Sequence, residues 1–178
     1  MVRLLGGGRR DVRDHPERKP TRRPRFDYTT PGAYFVTICL QEMSRLRFGE
    51  VRSERIVLTE AGELIEAEWG NNIARYPGAE SDTHIVMPNH IHAIVMTGTD
   101  PNYPPANLND IIATFKSVST AAYGCGVRAG TVPPYDGALW QRSYYDRMIH
   151  DNATLERARA YIEGNPARWI EKFEERHP

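Results

Sequence analysis

The sequence has only two cysteines in 178 residues, no formal net charge, and no apolar run approaching the length of a bilayer span. Each shortage excludes something. Cys39 lies in an apolar run and Cys125 in a glycine-rich stretch, so they form neither a disulfide framework nor a thiolate zinc cluster. A reducing cytoplasm is the expected compartment. Met1 to Gly8 has too short an apolar core for a secretory leader, and no internal repeat is visible. The length suits one domain with tails.

The zero sum conceals an uneven distribution of charge. In the first 25 residues Arg3, Arg9, Arg10, Arg13, Arg18, Lys19, Arg22, Arg23 and Arg25 face only Asp11, Asp14 and Glu17. Residues 1–30 therefore read as an extended basic arm suited to a phosphate backbone, followed by one domain over residues 31–178. Ala33 to Leu40 is aromatic and β-branched throughout, which predicts a central strand. Arg45 to Arg55 is turn-like and allows a short hairpin. Thr59 caps a helix with Leu64, Ile65, Trp69 and Ile73 at helical spacing and a solvated acidic face.

Two strands follow, from about Thr83 to Met87 and from about Ile91 to Met96, separated by Pro88-Asn89. Leu108 to Tyr123 reads as a helix, Cys125 to Gly137 as a flexible loop, and Leu139 to Ile149 as a last strand. A final long helix starts near Asn152, capped by Asn152 or Thr154. Gly164-Asn165-Pro166 interrupts it before one more short helix. The order β, α, β-β, α, β, α predicts an α+β, ferredoxin-like fold, a central antiparallel sheet with helices packed on one face. In that layout the second strand of the β-β pair is central and a late helix can bring Tyr161 towards it.

That strand carries His90-Ile91-His92. The i, i+2 spacing puts both imidazoles on one face of the sheet, where two neutral rings can bind a divalent metal. The same spacing also fits two histidines hydrogen-bonded at a strand end. Several pieces in order narrow the choice. His90-Ile91-His92 after Met87-Pro88-Asn89 resembles the His-hydrophobic-His motif of the HUH single-strand endonucleases. Tyr161 and Asn165 within Ala160 to Pro166 resemble the catalytic-tyrosine helix of that family, on the penultimate helix. Pro31 to Thr37, Phe115-Lys116-Ser117 and Trp140 to Asp146 match further, and the fit is closest to the REP-associated tyrosine transposases.

The resemblance implies a single-tyrosine transposase that cuts single-stranded DNA beside hairpins or palindromes through a 5′-phosphotyrosine. Tyr161 would be the nucleophile, with His90, His92 and the Asn165 carbonyl oxygen holding Mg²⁺ or Mn²⁺. Lys116, Arg142, Arg147, Arg168 and the arm residues Arg22, Arg23 and Arg25 are expected at phosphates, and Tyr144 or Tyr145 under an unpaired base. Packing is the expectation for Trp140 and Tyr144. A monomer or a homodimer, with no membrane partner, suits the family. A domesticated relative that holds palindromic DNA without cutting it is the alternative. The histidine-triad nucleotide hydrolases fit poorly, because Ile94 stands where their third histidine would be.

Overall fold

The computed structural model describes residues 26–45 and 47–174, with side chains through residue 171. Residues 1–25, and with them Arg22, Arg23 and Arg25, lie outside the described residues. The elements are β1 (Gly32–Cys39), β2 (Gly49–Arg52), β3 (Arg55–Leu58), α1 (Glu60–Ile73), β4 (Ala79–Met87) and β5 (His90–Thr97). After these come α2 (Leu108–Ala129), β6 (Tyr145–Ile149), α3 (Asn152–Glu163) and α4 (Asn165–Glu174). Strands β4, β5, β1 and β6 lie in that order in one antiparallel sheet, and β2 pairs with β3 as a separate hairpin. This is the expected ferredoxin-like arrangement, with β1 and β5 central.

Alternation along the strands sorts the side chains into two layers. Tyr34, Val36 and Ile38 of β1 and Ile91, Ala93 and Val95 of β5 share the main core with Ile65 and Trp69 of α1 and Ile111 and Phe115 of α2. The two long helices thus cover one face. On the other face Ile94, Ile149, Ala158 and Ile162 form a second, smaller cluster, joined by Phe35 and Leu155. Helix α3 is held there, across β4 and the histidine-bearing β5. Packing already includes Phe26 and Tyr28, ahead of Pro31-Gly32; Tyr28 is buried and its hydroxyl donates to Asp146.

Helix ends follow local chemistry. Thr59 accepts from the Gly62 amide at 3.2 Å and starts α1 as expected. Gly62 is required for a different reason: a Cβ there would lie 1.9 Å from the Phe48 carbonyl oxygen. The cap of α3 is Asp151 rather than Asn152 or Thr154. Its carboxylate accepts from the Thr154 amide and hydroxyl at 2.7 and 2.9 Å, so Thr154 completes the cap from inside.

Other boundaries differ too. β4 begins at Ala79, earlier than Thr83, because a bulge between Ser81 and His84 lets the strand continue. α2 runs through the supposed loop to Ala129, placing Cys125 on the helix, and Gly130 in the left-handed region (φ 75°) ends it. Leu139 to Tyr144 is not strand. There Leu40 and Trp140 form an isolated bridge, and the Lys116 ammonium donates to the Gln141 and Ser143 carbonyls at 2.9 and 2.8 Å. No helix among the described residues is long and apolar enough to cross a membrane.

Candidate metal and tyrosine centre

The register across three strands builds the site. Thr37 of β1 pairs with His92 on one side and Tyr145 on the other, and Phe35 pairs with Ile94 and Arg147. Directly paired residues of antiparallel strands point to the same face, so His92, Thr37, Tyr145, Phe35 and Arg147 all face the α3 side. His90 follows from its own spacing. The two-residue turn Pro88-Asn89 sets β5 going with His90 opposite Met87.

Both histidines are more than nine-tenths buried, and neither relies on water for its Nδ1 partner. His90 Nδ1 lies 2.8 Å from Asn89 Oδ1, and His92 Nδ1 lies 2.8 Å from Thr37 Oγ1. These contacts turn the two Nε2 atoms towards each other, 3.1 Å apart. At that spacing one divalent ion could be held by both nitrogens. Among the described residues no three His, Cys, Asp or Glu side chains gather into a metal cluster.

Tyr161 reaches the pair from α3. Its ring stands edge-on to His92 at 5.4 Å between centroids and edge-on to Phe35 at 5.7 Å. Trp169 of α4 lies 5.9 Å from the His90 ring. Asn165 opens α4 directly after the Gly164 turn, four positions from Tyr161 on one side and from Trp169 on the other. Asn165 is buried. Tyr161 remains 37% exposed. The Arg168 guanidinium lies over its ring at 4.7 Å and donates to its carbonyl oxygen at 2.7 Å.

An open cleft of about 510 Å³ adjoins the tyrosine, lined by His92, Tyr145, Asp146, Arg147, Arg157 and Tyr161 among others. Of the residues expected at DNA, Tyr145 and Arg147 line this cleft, and Tyr145 is 53% exposed. Arg142 is exposed outside it. Lys116 is differently employed, its ammonium tied to backbone carbonyls and set 5.7 Å from the Tyr144 ring. Trp140 and Tyr144 are buried as expected, bonded to Ser119 and Asn109.

Sequence reasoning missed Thr37, Asn89 and Arg157, and also the clamp that holds α3. Arg159 donates to both oxygens of Asp82 on β4, at 2.8 and 2.5 Å. The guanidinium holds the Asp82 carboxyl below its usual value, against a smaller opposing effect of burial. Only the period-two alternation around His90 could have pointed to Thr37, and only once the strand register was known.

Residues 54–165, a span that includes His90, His92, Tyr161 and Asn165, match the family model described as "Transposase IS200 like". An uncharacterized protein of Haemophilus influenzae is 25% identical over 169 residues, covering 85% of this chain and 89% of its own length. Among solved structures, a REP-associated tyrosine transposase bound to a REP hairpin superposes with a TM-score of 0.53 at 19% identity. That match covers 78% of this chain and 68% of the other, and the likeness is one of fold.

Proposed function

The chain belongs to the IS200-like transposase family, and we propose that Tyr161 and the His90–His92 pair make it a metal-dependent single-strand DNA endonuclease and strand transferase. The observation that carries this reading is the convergence of Tyr161, on α3, with the two imidazoles of β5 beside an open cleft. The donor set fits a hard divalent ion. His90 Nε2, His92 Nε2 and the Asn165 side-chain oxygen would hold Mg²⁺ or Mn²⁺, which would supply Lewis-acid charge at the scissile phosphate.

The chain's own groups do the rest. Tyr161 Oη attacks phosphorus, its proton passing to solvent. The Oη–P bond forms as the P–O3′ bond breaks, and the departing 3′-oxygen takes up a proton. The product is a 5′-phosphotyrosine and a free 3′-hydroxyl. A second 3′-hydroxyl attacking the same phosphorus reverses the exchange and joins strands, since one phosphodiester is traded for another. Arg147 and Arg157 in the cleft suit the flanking phosphates, and exposed Tyr145 suits a stacked base. Arg142 and the arm residues Arg22, Arg23 and Arg25 extend the contact with the backbone.

Hairpin-bearing DNA is the ligand class supported by the fold relative solved with a REP hairpin. Tyr161 meets the histidines of its own chain, which supports action in cis by a monomer or by each protomer of a homodimer.

The test uses 5′- and 3′-labelled single-stranded hairpin oligonucleotides with Mg²⁺, Mn²⁺ or EDTA, resolved on denaturing gels beside Tyr161→Phe. The expected result is a metal-dependent adduct on the fragment 3′ of the cut, absent from Tyr161→Phe. Hairpin binding without an adduct under any metal would overturn cleavage in favour of a DNA-holding protein.

A further inference from the structure

The hydrogen bonds around the histidines carry a direction, and Asn89 fixes it. Its Nδ2 donates to the Met43 carbonyl at 2.5 Å, so its Oδ1 is the atom left facing His90 Nδ1 at 2.8 Å. An amide oxygen accepts only, so a neutral His90 carries its proton on Nδ1 and its lone pair on Nε2. That lone pair faces His92 Nε2 at 3.1 Å. Without an ion between them, His92 must be protonated on Nε2 to donate across this gap. Its Nδ1 then accepts from the Thr37 hydroxyl at 2.8 Å.

Every link now matches: Thr37 Oγ1–H to His92, His92 to His90, His90 to Asn89, and Asn89 to Met43. The two ends of this chain differ in kind. Asn89 is locked, because its carboxamide is fixed on both sides. Thr37 is reversible, because a hydroxyl that donates in one rotamer accepts in another.

We propose that Asn89 and Thr37 are positioning residues that set the two histidines unequally. Asn89 holds His90 permanently in the tautomer that can ligate, and Thr37 lets His92 exchange an Nε2 proton for an Nδ1 proton when an ion enters. This rests on the metal reading given above. Its separate content is which nitrogen of each ring carries the proton, in the empty and loaded protein. Both ring partners act through an imidazole, and neither touches the DNA reaction itself.

Long-range ¹H–¹⁵N spectra of the full chain, labelled on histidine, read this directly at a pH where both rings are neutral. In EDTA, His90 is expected protonated on Nδ1 and His92 on Nε2. Adding Mg²⁺ is expected to move the His92 proton to Nδ1 and leave the His90 proton in place. Mn²⁺ binding, followed by electron paramagnetic resonance, is expected to weaken about 10–100-fold in Asn89→Ala and in Thr37→Val. Thr37→Ser, which keeps the hydroxyl, is expected to recover most of it. Should a variant fail to fold, the wild-type spectra alone decide. His90 protonated on Nε2 in EDTA would overturn the proposal, as would Asn89→Ala that keeps both tautomer and Mn²⁺ affinity. Expected tautomers with no Mg²⁺ or Mn²⁺ binding would instead overturn the metal reading and leave the hydrogen-bond chain standing.

Discussion

Helix α3 delivers Tyr161 yet rests on a small apolar cluster, so the Arg159–Asp82 clamp should govern how firmly the tyrosine is held. The pair is bidentate, with side chains 33% and 15% exposed. Charge-assisted hydrogen bonds are worth about 1.5–3 kcal/mol when sheltered, against about 0–1 kcal/mol for an exposed ion pair. The guanidinium stands open to solvent on one side, which places the coupling towards the exposed limit. Arg159→Met, Asp82→Asn and the double variant form a cycle that isolates it. Each single variant should open α3 several-fold more often. Native-state amide exchange of α3, compared with α2, measures this. Equal exchange of α3 in wild type and Arg159→Met, or a cycle with no coupling, would refute the reasoning.

Gly62→Ala places a methyl against the Phe48 carbonyl, so α1 must shift. A loss of about 2–3 kcal/mol in urea unfolding is expected, and a neutral result would contradict the close approach. Lys116→Met should destabilise by about 1–3 kcal/mol because the carbonyls of Gln141 and Ser143 lose their donor. It should leave the salt dependence of single-strand binding unchanged, whereas Arg142→Gln should reduce that slope by about 0.7. The pH dependence of α3 has a definite sign. The Asp82 carboxyl is lowered by Arg159, and that of Asp151 by the Thr154 amide and hydroxyl. Their stabilisation is complete well above the ordinary carboxylate value of about 3.9 and is lost as pH falls through the depressed native values. Protection of α3, corrected for intrinsic exchange, should be flat from neutral pH down to about 4.5 and decline below. A decline centred near pH 6 would implicate a histidine instead.

How much of this was legible in the sequence depended on the range of the interaction. The His90–His92 face and the helical position of Tyr161 are periodicities within one element, and both were readable. The Thr37–His92 and Asp82–Arg159 contacts depend on strand register and helix docking, which no local pattern states. Glycine misled in α2. Gly126 reads as a loop residue, but it is there because a Cβ would lie 2.9 Å from Val132, where the chain folds back over the helix. The alternation from Leu139 to Ile149 misled likewise. Trp140 and Tyr144 are buried because they reach Ser119 and Asn109 on α2, and regular pairing begins only at Tyr145.

The most direct measurement is peptide mapping of the covalent product. The protein is incubated with a hairpin-flanked single strand and Mg²⁺ or Mn²⁺, digested with nuclease and protease, and sequenced by tandem mass spectrometry. A nucleotide 5′-phosphate joined to Tyr161, absent in EDTA, is the expected result. The same mass on Tyr145, or cleaved DNA with no modified tyrosine, would contradict the assignment of Tyr161 as nucleophile.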